Sequence, residues 1–326
     1  MKKSLFTMFV CFLFVTFTGK IFAVKPVVPD ASPEAVALLN YLYDIKGKYS
    51  LSAQMWSQFG QFDEVEKIHE ITGKYPAIKG QDLIEEFNNR KEVMNMIEWW
   101  QSGGIVSLMW HWGAPSKGEG YNQSKMKINI DSCFIEGTPQ NKAMWQDLSR
   151  IADWLTILRD AHVPVLWRPM HELGGQWFWY SLCGAEPFKK VWITMFDYFT
   201  NVRKLNNLIW VFCHYDFPNP DFDPGKQYYD FAGADTYKRD RVLKDMYNDV
   251  GKIHGFDKPI VFHECGTVPD PDEYFKDAPF IWWMLWHTSF VTMQNPEILK
   301  KIYNHELIIT KDELPNIMKK YGKKKK

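Results

Sequence analysis

The chain has 326 residues, 39 of them basic and 39 acidic, so its formal charge is zero. That length admits one α/β barrel with ordinary insertions, and the lack of a basic excess argues against nucleic acid as a partner. Aromatic content stands out, with 15 Trp, 15 Tyr and 23 Phe, many of them clustered beside histidines and carboxylates rather than spread through periodic apolar segments.

At the N-terminus, Lys2 and Lys3 precede an apolar run over 5–17 and a small residue at Ala23. This reads as a signal peptide over 1–23, with cleavage near Ala23 and a secreted or periplasmic product. The run is too short and too interrupted to span a bilayer. Cys11 sits inside it rather than at its end, which argues against a lipid anchor. Without Lys2, Lys3 and Lys20, 36 basic residues face 39 acidic ones. No linker, repeat or low-complexity stretch divides the remainder, so we expect one domain over 24–322 and a solvated basic tail at 323–326. We expect a monomer whose loose ends are 24–29 and that tail. Cys133, Cys183, Cys213 and Cys265 have no CxxC element that would suggest structural zinc. Export permits disulfides, and the pairing stays open. Cys213 ends an apolar run and reads as a buried thiol.

Along the chain, short apolar runs alternate with amphipathic stretches. A strand is predicted at 49–54, a helix at 62–72, a strand at 77–80, a helix at 90–101 and a strand at 104–110. A long Gly-, Ser- and Asn-rich connection leads to a helix at 142–161 and a strand at 163–167. Further strands are predicted at 208–213, 231–235, 259–263 and 280–286. Eight alternating units predict a (β/α)8 barrel, whose functional residues belong at the carboxyl ends of the strands. Polar residues end the apolar runs at Gln54, Asp82, His111, His171 with Glu172, His214, Asp235 with Tyr237, Glu264 and His287.

Three of these ends carry a chemical pattern. Arg168-Pro169-Met170-His171-Glu172 runs into Gly174-Gly175-Gln176-Trp177-Phe178-Trp179-Tyr180, placing a carboxyl against an aromatic wall. Desolvation there raises its pKa, so it can hold a proton for delivery to a glycosidic oxygen. Arg168 could instead pair with Glu172 as a structural ion pair. Three units later, Lys258-Pro259-Ile260-Val261-Phe262 ends in His263-Glu264-Cys265-Gly266, supplying the second carboxylate that glycoside hydrolysis requires. In Gly233-Ala234-Asp235-Thr236-Tyr237, the tyrosine can donate a hydrogen bond that aims Glu264, with Asp235 in support. His111, between Trp110 and Trp112, suits a sugar hydroxyl, and Trp286 suits a stacking floor. Trp154 and Trp192 read as core, and Trp282 and Trp283 as packing outward or into the core.

Together these residues resemble glycoside hydrolase family 26, retaining (β/α)8 enzymes best known as endo-β-1,4-mannanases. The resemblance rests on 168–179, Trp110-His111, the Gly-x-Asp-x-Tyr at 233–237, Lys258-Pro259 through Glu264-x-Gly266, and Trp286. It implies Glu172 as acid/base, Glu264 as nucleophile and His171 near the sugar 2-hydroxyl. It further implies Tyr237 against the nucleophile, His111 and Trp286 around the sugar at the cleavage point, and Trp177 on the leaving side. Neither metal nor organic cofactor is implied, and the implied substrate is β-mannan. The chain departs from many members in Gly174-Gly175 and in Trp179-Tyr180-Ser181. The residues also leave other functions open: a xylanase or mixed-linkage glucanase with the same chemistry, a glycan-binding protein, or a zinc hydrolase using His111, His171, His263 and Asp235, although the first strand lacks an HxH pair.

Overall fold

The eight expected strands form and close on themselves in a computed structural model that describes residues 24–57 and 59–322. The expected leader and the 323–326 tail lie outside the described residues. The strands are β1 (Ser50–Met55), β2 (Ile78–Asp82), β3 (Ile105–Trp110), β4 (Val165–Pro169), β5 (Leu208–Tyr215), β6 (Phe231–Thr236), β7 (Ile260–Cys265) and β8 (Trp282–Leu285). All neighbours run parallel from β2 to β8, and β1 closes the ring against both β8 and β2. A short β9 (Ile308–Ile309) pairs with the lower part of β1 at Ser50 and Leu51, below the point where β2 joins. Among the described residues no helix is long and apolar enough to cross a membrane.

Strands covered on both faces must be apolar nearly throughout, and β1, β3, β4, β6, β7 and β8 are buried along their whole length. One buried cluster lies within the barrel and below it, including Leu51, Ala53, Ile78, Ile105, Leu166, Ile209, Val261 and Met284. The other joins the strands to the surrounding helices and holds Trp167, Trp192, Trp210 and Trp283. Gly80 shows how full the interior is: a Cβ there would lie 2.6 Å from Met284 Sδ and 2.8 Å from Met55 Sδ.

Helices α1 (Pro33–Ile45), α2 (Glu64–Thr72) and α3 (Glu86–Gln101) lead the outer layer. Ser32 and Asp63 cap the first two by accepting backbone N–H bonds. Leu38 and Leu42 of α1 join the barrel-floor cluster. The 24–29 segment, expected to be loose, is tied down. Val24 N donates to Asn40 at 3.0 Å, Val27 N donates to Asp230 at 2.8 Å, and Val28 is buried.

Candidate active site

The predicted strand ends meet at one mouth of the barrel, around a cavity of about 540 Å³. Glu172, Glu264, His111, His171, Trp177, Tyr237 and Trp286 line it, while Arg168 and Asp235 lie buried beneath. Asp82 and His287 join the wall. Gln54 instead donates to the carbonyls of Met55, Leu285 and Trp286 and braces the β8 end. His214 turns away, its Nε2 lying 2.8 Å from His254 Nε2.

Glu172 stands at the exit of β4 on a backbone that L-residues seldom adopt, with φ of 57° preceded by 44° at Met170. Such residues cost about 1–3 kcal/mol each and persist where their surroundings fix them. Here Leu173 exchanges backbone bonds with Cys213 and Tyr215 at 3.1 and 2.9 Å, and the Tyr180 hydroxyl donates to His171 O at 3.0 Å. Trp177 Nε1 donates to Glu172 Oε2 at 2.8 Å, and its ring meets Tyr215 edge-on at 4.6 Å. The indole lies close over Gly175, where a Cβ would come within 2.5 Å of it. Burial, then the adjacent Glu264 carboxylate, pushes Glu172 up to about 7, against the pull of Trp177, His111 and Arg168. Glu172 therefore stays partly protonated near neutrality.

Glu264 is fixed on both oxygens. Arg168 Nη2 donates to Oε1, and the Tyr237 hydroxyl donates to Oε2 at 2.6 Å. Arg168 thus pairs with Glu264 and with Asp235 Oδ2, at 3.3 Å from the latter, and not with Glu172. Burial opposes its charge, but these two acids hold the guanidinium well above its ordinary value. With one cation serving two acids, burial and the Glu264 charge push Asp235 well above the usual carboxylate range. Cys213, buried as expected, donates to Asp235 Oδ1 at 3.0 Å. Pairing with β6 and β8 shifts register between Phe262 and Cys265. This bulge lets consecutive residues face inward: His263 approaches Trp282 inside the barrel, while Glu264 reaches the mouth.

One oxygen each from Glu172, Asp235 and Glu264 lies within 4.8 Å of the others. His111 donates its backbone N–H to Asp82 at 3.0 Å and bonds the same carboxylate through Nδ1. Burial disfavours its charge, yet Asp82 outweighs that and raises the ring above its usual value. His171 meets His111 edge-on at 4.5 Å, and its Nε2 is 3.8 Å from Glu264. Burial, with His111 and Arg168 beside it, pushes His171 well below the usual range and leaves it neutral. Its Nδ1 has no hydrogen-bond partner among the described residues.

The cleft also contains residues the sequence reading did not select: Trp56, Glu92, Tyr121 and Tyr215. Tyr215 was within reach, because β5 runs two residues past its predicted end at Cys213. Trp56 follows β1 directly and carried the same positional signal. Glu92 and Tyr121 lie on a helix and in a long connection, where the strand-end rule says nothing.

The model for Glycosyl hydrolase family 26 matches residues 27–313. The chain is 31% identical to a mannan endo-1,4-beta-mannosidase from Thermothelomyces thermophilus over 88% of its own length and 62% of that protein's. It is 30% identical to mannan endo-1,4-beta-mannosidase A of Piromyces sp, covering 88% of this chain and 50% of the relative. It therefore spans about half to three-fifths of these curated relatives. Among solved structures, a beta-mannanase from a symbiotic protist of the termite Reticulitermes speratus, complexed with gluco-manno-oligosaccharide, superposes with a TM-score of 0.81 at 34% identity, covering 89% of this chain and 97% of that one.

Proposed function

The chain belongs to glycosyl hydrolase family 26, and from that premise we propose that it is a retaining endo-β-1,4-mannanase with Glu172 as acid/base and Glu264 as nucleophile. The observation that carries this reading is the contrast between the two carboxyls. Burial, then the Glu264 charge, raises Glu172 to about 7, while Glu264 is gripped by Arg168 and Tyr237. Their approach to within 4.8 Å suits the covalent route, which uses a separation of about 5 to 5.5 Å, rather than the roughly 6.5–9.5 Å of inverting enzymes.

Glu264 attacks the anomeric carbon while Glu172 gives its proton to the departing glycosidic oxygen. Glu172, now a carboxylate, then takes a proton from water, which displaces Glu264 and restores the anomeric configuration. Tyr237 stays neutral as a donor, since burial and Glu264 raise its hydroxyl well above the ordinary value. His111, His171 and Trp286 surround the sugar at the cleavage point, and Trp177 lies on the leaving side. Mannan is favoured by what the relatives are named for and by the motif resemblance. The apolar leader in the sequence supports export to meet a polymer.

The test is a product profile on mannan, galactomannan, xylan and mixed-linkage glucan, with product stereochemistry followed by NMR. Oligosaccharides released fastest from mannan, with β-configured new ends, are expected. A preference for xylan or glucan would overturn the substrate, and inversion would overturn the two-step mechanism.

A further inference from the structure

Glu92 sits on α3 and lines the same cavity as Glu172 and Glu264. It is only 1% exposed, and its Oε2 is buried without a hydrogen-bond partner among the described residues. A buried carboxyl oxygen left without a partner is a net cost to folding. The helix does not need it there, because Val93, Met96 and Ile97 supply the apolar packing beside it, and a leucine would bury equal volume without desolvating a polar group. Burial, then the Asp82 charge, pushes Glu92 well above the usual carboxylate range. A shift in that direction favours the protonated form, which can both donate and accept.

Its place in the cleft gives its direction. In a ring of eight strands, β1 and β2 stand across from β5 and β6. Trp177 and Tyr215 line the β4–β5 end of the cavity, and Trp56, Ile84 and Glu92 line the β1–β2 end. Glu172, bonded to Trp177, serves the leaving oxygen, so the β4–β5 end receives the aglycone. The β1–β2 end, past His111 and Trp286, receives the glycone.

We propose that Glu92 binds a hydroxyl of the second glycone sugar, one unit beyond the sugar at the cleavage point, and thereby selects chains that carry at least two sugars on that side. This rests on the glycanase reading of the cleft. It assigns Glu92 to substrate length and leaves the bond-breaking step to Glu172 and Glu264.

The test compares 2,4-dinitrophenyl glycosides carrying one or two glycone sugars, a leaving group reactive enough for the shorter substrate to be followed. Glu92→Ala and Glu92→Asp should lower kcat/KM for the bioside about ten-fold, the worth of one such hydrogen bond, and leave the single-sugar substrate unchanged. Glu92→Gln, which retains a donor and an acceptor, should keep the bioside preference. Alanine suits a helix interior, and removal of an unpaired buried carboxyl should leave the melting temperature no lower. An equal loss on both substrates, or no loss on the bioside, overturns the assignment. Wild-type rates on mannose-, glucose- and xylose-configured biosides test the proposed substrate separately, and the Glu92 comparison uses whichever the wild type hydrolyses fastest.

Discussion

The hydrogen bond from Trp177 to Glu172 makes the proton affinity of that carboxyl adjustable in a known direction. The indole N–H donates at 2.8 Å to Oε2 and stabilises the ionised form, so it opposes the burial that lifts the carboxyl to about 7. Trp177→Phe removes the donor while keeping a ring against Tyr215 and Gly175. A hydrogen bond to a charged group contributes about 1.5–3 kcal/mol when shielded. Trp177 is partly exposed, so the lower end applies, and each pH unit corresponds to about 1.4 kcal/mol. With Glu172 as the proposed acid, the alkaline limb of kcat/KM, which reports the acid in the free enzyme, should lie near 7 in the wild type and should move up by about one pH unit in Trp177→Phe. Trp177→Ala should move the limb the other way, because water admitted to the opened wall favours the carboxylate. An unmoved limb in Trp177→Phe, or a downward move, would refute the claim that Glu172 is the group titrating there.

Burial of Glu172 also has a stability consequence. The folded protein holds this carboxyl at about 7 against an ordinary 4.5, so the stability gained from protonation is complete below about pH 4.5 and is lost as pH rises through about 7. Glu172→Gln should therefore gain up to about 3 kcal/mol over the wild type above about pH 8 and nothing below about pH 4. Paired thermal melts check this, and an equal difference at both ends of the range contradicts it. Glu172→Ala should spare activated aryl glycosides far more than polysaccharide, because a good leaving group needs little protonation. Equal losses would remove Glu172 as the acid. Tyr237→Phe should lower kcat about 10- to 100-fold, the range for a lost hydrogen bond to a carboxylate, and wild-type turnover in that variant would show that Arg168 alone aims Glu264.

What could be read from the sequence follows from how local each feature is. The eight strands were legible because both of their faces are covered, which leaves short apolar runs that only a polar strand end interrupts. Glu172 and Glu264 were legible for the same reason. The 24–29 segment looked loose because its proline-containing sequence offers no periodicity. Its order comes from Asn40, nearby in sequence, and Asp230, about two hundred residues away. Arg168 was adjacent to Glu172 in the sequence and invited that pairing, yet it lies within β4 and points under the floor, whereas Glu172 leaves the strand on a left-handed turn. Neighbours along the chain were thereby sent to different partners.

The β7 bulge shows most clearly what the sequence withheld. A regular strand alternates faces, so if His263 enters the barrel, Glu264 must point out toward the helices. One extra residue between Phe262 and Cys265 breaks that alternation and brings both inward, which puts Glu264 against Arg168 and Tyr237. The apolar pattern of 258–262 is the same with or without the bulge, so hydrophobicity cannot disclose it. The partners can: a buried arginine on β4 needs an acid facing it, and Asp235 alone leaves half of its fork unused. The position of Glu264 is thus set by the arginine three strands and a bulge away as much as by the strand that carries it. A change at residue 263 that straightened β7 should therefore cost activity by turning Glu264 out of the cleft, even though His263 itself does not line it.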